Sequence, residues 1–107
     1  MKLIVMSDSH GDKETVTAVS SLLADAIFHC GDSELQFDDP ILQNIHIVRG
    51  NCDRDNRFPS ILLVELQGKS ILTVHGHEHD VNQSLMSLYY SAKEMGADIV
   101  LFGHSHL

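Results

Sequence analysis

Apolar residues along the chain come in short runs, each closed by a polar loop. The first run, residues 2–6, is β-rich. Within residues 13–23, Val16, Val19, Leu22 and Leu23 recur at helical spacing behind Asp12 as a cap, which predicts strand, loop, helix. Residues 26–30 predict a second strand, closed by Gly31-Asp32, and residues 33–43, with Asp38-Asp39-Pro40, read as a loop with at most one helical turn. A third strand over residues 45–48 is closed by Gly50-Asn51-Cys52-Asp53, and residues 54–59 are a polar surface loop. Residues 61–66 and 70–74 flank Gln67-Gly68-Lys69, a hairpin signal, and the second arm runs into His75-Gly76-His77. Over residues 83–95, Leu85, Leu88, Tyr89 and Ala92 share a helical face, with Asn82 or Asp80 as cap and Gly96 as stop. The last strand, residues 98–102, ends in Gly103-His104-Ser105-His106. No repeat or linker interrupts this order, which predicts one α/β domain over residues 1–107, with a mixed sheet and helices packed on its faces.

Composition narrows the class. The chain has 107 residues and is 43% hydrophobic, an ordinary globular balance. A domain of this size buries roughly two thirds of its unfolded surface, so its core needs neither disulfides nor a structural metal. The longest apolar runs are far short of a membrane span, and the N-terminal run meets Ser7 and Asp8 too early for a signal peptide; the expectation is a cytoplasmic chain off the membrane. A net charge of −8 argues against stable nucleic-acid binding through basic side chains. Cys30 and Cys52 form no C-x-x-C pair, and Cys30 reads as a small core residue. Histidine stands out: eight residues against seven Lys and Arg together, in the side chain that most often binds metal.

Their placement carries the chemistry. Five strands end in Ser7-Asp8-Ser9-His10, Gly31-Asp32, Gly50-Asn51-Cys52-Asp53, His75-Gly76-His77 and Gly103-His104-Ser105-His106. Ligands in open α/β sheets bind beyond the carboxyl ends of strands, so these loops are expected to meet at one rim. Asp8 with His10, and His104 with His106, are two apart and point the same way from extended backbone. Carboxylate, imidazole and amide donors suit Mn²⁺, Fe, Co²⁺, Ni²⁺ or Zn²⁺ better than Ca²⁺. Seven candidates exceed what one four-coordinate ion needs, whereas two adjacent ions would use them and clamp a phosphoryl group.

Those five motifs, in that order, resemble the calcineurin-like metallophosphoesterases, most closely the small single-domain bacterial and archaeal phosphodiesterases. The resemblance spans nearly the whole chain and implies an α/β fold in which a mixed β-sheet sandwich is flanked by helices. It further implies that Asp8, His10 and His106 bind one metal, that Asn51, His75 and His104 bind a second, and that Asp32 bridges them. The implied cofactors are two divalent ions, Mn²⁺ first, with Ni²⁺, Fe, Co²⁺ or Zn²⁺ as alternatives. Asp32, Asn51, His75 and His104 are then the catalytic residues, and the implied activity is hydrolysis of small phosphodiesters by a metal-activated hydroxide.

Two departures qualify it. Many larger members place a histidine after the metal-binding Asn; here Cys52 takes that place, a poor proton donor at neutral pH, so either a preference for esters with good leaving groups or another donor such as His77 or water is expected. The family also continues beyond the position of Leu107 with strands of the second layer, so a C-terminally short domain is expected to expose a sheet edge that a second copy could cover, giving a homo-oligomer. His77 and Asp53 are expected to support a ligand or touch substrate, with Asp53 bonded inside its own turn or to a histidine. His29 and His46 are assigned to packing or surface, Glu78 and His79 to solvated surface, Tyr89 and Tyr90 to helix packing. The rival function is a non-catalytic metal-binding interaction module on the same fold.

Overall fold

The structure is a computed structural model and describes residues 1–77 and 84–104. Strand β1 (Leu3–Met6) leads through a polar loop to helix α1 (Lys13–Ser20), β2 (Ala26–His29), a 3₁₀ turn (Pro40–Leu42) and β3 (His46–Ile47). Strands β4 (Ile61–Leu66) and β5 (Lys69–Val74), helix α2 (Met86–Glu94) and β6 (Ile99–Leu101) complete the described elements. No helix among them is long and apolar enough to cross a membrane.

The mixed sheet read from the pattern alone is two three-stranded sheets, as the sandwich implied by the resemblance has it. In the first, β1, β2 and β3 lie side by side and parallel, with Leu3 opposite Ala26 and Phe28 opposite His46. In the second, β4 runs antiparallel to β5 from the pair Leu66 and Lys69 to the pair Ile61 and Val74, and β6 adds in parallel on the far side of β5. Helix α1 is the crossover between β1 and β2, and α2 the crossover between β5 and β6. The alternation of strand and helix is as expected, and it simply occurs twice.

Local chemistry explains where the elements stop. Asp12 caps α1, its carboxylate accepting the Thr15 N–H at 3.1 Å and the Thr15 hydroxyl at 2.7 Å. The helix ends at Ser20 rather than residue 23, because the Ser20 and Ser21 hydroxyls donate back to Thr17 O and Ala18 O. Leu22 and Leu23 therefore lie beyond the helix and are exposed, and Val16 is the helix's buried anchor. Helix α2 begins at Met86 with Leu85 as a cap that contributes no side-chain bond, so it starts later than the pattern implied; Asp80 and Asn82 lie outside the described residues. Leu88 and Ala92 form its buried stripe, while Leu85 and Tyr89 are exposed, and the Tyr89 and Tyr90 rings pack on each other instead of on the core. Its end is a Schellman closure: Gly96 at φ 71° lets Gly96 N–H reach Lys93 O and Ala97 N–H reach Ala92 O.

Two hydrophobic clusters hold the halves. Val16, Leu35, Leu42, Ile45, Ile47 and Phe58 pack beside the first sheet, and Leu72, Val74, Leu88 and Ala92 join the second sheet to α2. Because side chains alternate along a strand, Ile71 and Thr73 face away from α2, yet both are fully buried, so β5 is covered on both faces. That burial brings the carboxyl end of β5 inside the molecule.

Candidate metal centre

The expected rim is a seam where the carboxyl ends of both sheets meet. The β1 loop runs alongside the β2 loop in a continued ladder: Cys30 N–H donates to Met6 O, Asp8 N–H to Gly31 O, His10 N–H to Asp32 O and Gly11 N–H to Ser33 O, at 2.7–2.9 Å. From the second sheet, Gly103 N–H donates to His75 O at 3.0 Å, and His104 N–H crosses to Asp8 Oδ2 at 3.1 Å. Gly50 lets this seam close, since a Cβ there would collide with the Asp32 carboxylate. At Gly31, with φ 104°, a Cβ would stand 2.8 Å from His75 Nδ1.

Four candidate ligands adopt left-handed backbone: Asp8 (φ 56°), His10 (45°), Asp32 (60°) and His104 (69°). Each costs on the order of 1 kcal/mol for an L-residue, and Asp and His are among the types that tolerate it. The ladder bonds hold these residues there, aiming their side chains into the seam instead of along the strands. Nothing in the hydrophobic pattern announces this geometry.

The donor atoms converge in two groups that share one residue. Asp8, His10 and Asp32 bring ligand atoms within 4.8 Å of one another, and so do Asp32, His75 and His104. Asp32 and His75 are 2% and 1% exposed, so both are desolvated without the cost of a free buried charge being met by water. Asp32 Oδ1 accepts the Cys52 N–H at 2.8 Å, and its Oδ2 lies 3.1 Å from His75 Nε2. His75 Nδ1 is 2.8 Å from the Cys30 carbonyl, which fixes the proton on Nδ1 and leaves the Nε2 lone pair pointing inward. That lone pair faces Asn51 Oδ1 at 3.0 Å, Asp32 Oδ2 at 3.1 Å and Asp8 Oδ1 at 3.9 Å. Oxygen and nitrogen donors gathered this closely, hard to borderline in character, fit divalent transition ions.

The calcineurin-like phosphoesterase superfamily domain is matched over residues 1–107. This chain belongs to that superfamily. The probable metallophosphoesterase YsnB of Bacillus subtilis is 41% identical over 110 residues, covering 100% of this chain and 65% of the relative. A probable metallophosphoesterase of Mycoplasma pneumoniae is 34% identical over 113 residues, covering 99% of this chain and 68% of the relative. The crystal structure of a conserved uncharacterized protein of Streptococcus pneumoniae, a predicted phosphoesterase, is similar with TM-score 0.94 and 44% identity, over 98% of this chain and 62% of that one. Vps29 of Chaetomium thermophilum shares the fold at 19% identity with TM-score 0.73, over 98% of this chain and 63% of that one. The chain thus spans 65% of the length of YsnB.

Within this calcineurin-like domain, the other candidate residues fall in different places. His106, with Ser105, Glu78 and His79, lies outside the described residues. His77 stands 5.4 Å from the His75 ring and lines a cavity of about 280 Å³ with Arg49, Gly50, Asn51 and Ser60. Asp53 is 3% exposed, and its carboxylate accepts three backbone N–H groups: Gly50 at 2.6 Å, Asp32 at 2.9 Å and Glu34 at 2.8 Å. It therefore bonds within its own turn, as one of its two expected roles had it, and also pins the neighbouring loop. Cys52 is exposed and free, and Cys30 is buried, its thiol pushed up to about 12 by burial.

Pattern reasoning missed two supporting residues. His29 is more than packing: it accepts the Gly31 N–H on Nδ1 at 3.1 Å and lies 2.9 Å from Ser9 Oγ through Nε2, tying both ligand loops together. Burial drops its pKa to about 4, so it is neutral near pH 7. Glu34 faces His10, its Oε1 3.6 Å from Nδ1. The two-residue spacing that singled out Asp8 with His10 also holds for Asp32 with Glu34 and would have found it. His46 does pack, stacking on Phe28 at 4.9 Å.

Proposed function

We propose that this domain is a binuclear metal-dependent phosphoesterase acting on small phosphodiesters. The observation that carries the reading is Asp32, a buried carboxylate that belongs to both donor groups. In this reading Asp8, His10 and His106 hold one ion with Asp32, and Asn51, His75 and His104 hold the other with the same carboxylate. Two divalent ions, Mn²⁺ foremost, supply Lewis acidity toward the phosphoryl oxygens and a nucleophile drawn from water. The chain's own residues organise that chemistry. The Cys30 carbonyl keeps His75 in the tautomer that presents Nε2, and the Asp8 carboxylate is held by the His104 N–H and by the Ser7 hydroxyl. The cavity at Asn51 and His77 offers one ester substituent a place beside the centre.

Leaving-group protonation is the weak part of the machinery. The Asp32 carboxylate, foremost among its neighbours, raises the Cys52 thiol above its usual range, so Cys52 keeps its proton at neutral pH. Esters with good leaving groups are the substrates this site favours. Bis-p-nitrophenyl phosphate is accordingly expected to be hydrolysed after Mn²⁺ or Ni²⁺ addition, with turnover falling to background in Asp32→Ala. Metal binding without turnover in the unaltered chain would overturn the enzyme reading and leave the interaction module.

A further inference from the structure

Glu34 and Cys52 stand outside the seven residues assigned to the centre, yet with His10 they make a third convergent group, their donor atoms all within 4.8 Å of one another. We propose that His10, Glu34 and Cys52 form a separate site for a thiophilic divalent cation, Zn²⁺ by class, and that its occupation withdraws His10 from the phosphoesterase centre. The first part rests on this geometry alone; the second rests also on the function proposed above.

The three donors come from three loops, after β1, β2 and β3, and two of those loops are fixed by buried carboxylates. Cys52 N–H is held by Asp32 Oδ1 and Glu34 N–H by Asp53 Oδ1, both at 2.8 Å. The side chains beyond these anchors are exposed and line a cavity of about 740 Å³ on the Glu34 and Cys52 side, so they can close on an ion arriving from solvent. Four-coordinate zinc, with bonds of about 2.0–2.3 Å, sets its ligand atoms roughly 3.3–3.8 Å apart. Rotations of about 1 Å in exposed side chains reach that spacing from the one observed. A sulfur donor distinguishes this group from the oxygen- and nitrogen-only centre, and it selects Zn²⁺ or Cd²⁺ over Mn²⁺. On binding, the thiol releases its proton to solvent and no electron changes hands.

The imidazole of His10 makes the two sites antagonists. Its Nε2 looks toward Asp8 Oδ1 at 3.9 Å, and its Nδ1 toward Glu34 Oε1 at 3.6 Å. A neutral imidazole has a single lone pair, on one ring nitrogen or the other. Given to a cation at Cys52 and Glu34 through Nδ1, it is no longer available to the group of Asp8 and Asp32. A soft cation at the rim thereby weakens the hold on a harder ion in the centre.

Cd²⁺ titration of the metal-free full chain tests this, read by the ultraviolet thiolate-to-Cd²⁺ absorption. A saturating band is expected in the unaltered chain, absent in Cys52→Ser, and shifted to about tenfold or more higher Cd²⁺ in Glu34→Gln. Cd²⁺ added to Mn²⁺-loaded chain is expected to release Mn²⁺, seen as the free-ion signal in electron paramagnetic resonance, and to do so only at much higher Cd²⁺ in Cys52→Ser, where direct replacement in the centre is all that remains. No band, or a band that survives Cys52→Ser, overturns the site; Cd²⁺ uptake that leaves bound Mn²⁺ in place overturns the sharing of His10. A Mn²⁺ titration without Cd²⁺ reads the phosphoesterase centre separately: Mn²⁺ uptake with no Cd²⁺ band sinks the thiol site alone, and a Cd²⁺ band with no Mn²⁺ uptake sinks the proposed centre.

Discussion

Asp53 holds no candidate metal and still decides the shape of the centre, because its two oxygens accept three backbone N–H groups from two loops. An amide has one acceptor oxygen, so Asp53→Asn sets an NH₂ against a backbone donor. The expected cost is about 1–3 kcal/mol in urea denaturation, with Mn²⁺ affinity weakened about 10–100-fold. His29 does comparable work from the other side and links stability to pH. Its folded pKa is depressed to about 4 from 6.5, chiefly by burial. Between those values the unfolded chain binds the extra proton, so this contribution is full above pH 6.5 and is lost as pH falls toward 4. The whole effect is on the order of 3 kcal/mol. Urea midpoints between pH 7 and pH 4.5 are expected to fall less in His29→Gln than in the unaltered chain; equal slopes would contradict the buried neutral imidazole.

At the scale of elements, turns and caps set the register that delivers each loop to the seam. The β4–β5 hairpin closes on Gln67 and Gly68 at φ 50° and 79°, the two positive angles of a type I′ turn. Glycine suits its position, but Gln67 is a costly choice where Asn is preferred. Gln67→Asn is therefore expected to raise stability by roughly 0.5–1 kcal/mol in thermal or urea unfolding, with the centre untouched. A loss of stability would mean that Gln67 makes a contact that outweighs its backbone. The shortfall of α1 has a similarly local origin: serine hydroxyls that bond back along the helix end it at Ser20, and the two leucines that made the pattern look longer are left in solvent.

For the whole molecule, the opposing demand is electrostatic. A chain of net charge −8 directs the carboxylates Asp8 and Asp32 and the inward lone pair of His75 into one buried seam. A cation that binds only the folded state relieves this and adds about 2.7 kcal/mol at 100 times its Kd. At roughly 4 °C or more per kcal/mol for a domain of this size, Tm is expected to rise by about 10 °C on Mn²⁺ addition and to fall back with chelator. Calorimetry showing the same Tm with and without Mn²⁺ would mean the seam holds no such ion. The strand and helix order, the Asp12 cap, the Gly96 stop, the hairpin and the five polar motifs were legible in residue order, because these depend on residues close in the chain. That residue order also sufficed to mark the superfamily. The resemblance already implied a sandwich and a bridging Asp32, and the strand ends implied a common rim; which strands pair in which sheet, and the left-handed turns that carry the motifs into the seam, were set by the fold. It alone placed His29 and Glu34 around the centre. Strand pairing, left-handed backbone at Asp8, His10, Asp32 and His104, and bonds between residues dozens of positions apart are set by long-range contacts. Those contacts leave no periodic trace in the sequence, since a strand's alternation says which face is buried and not which strand lies beside it.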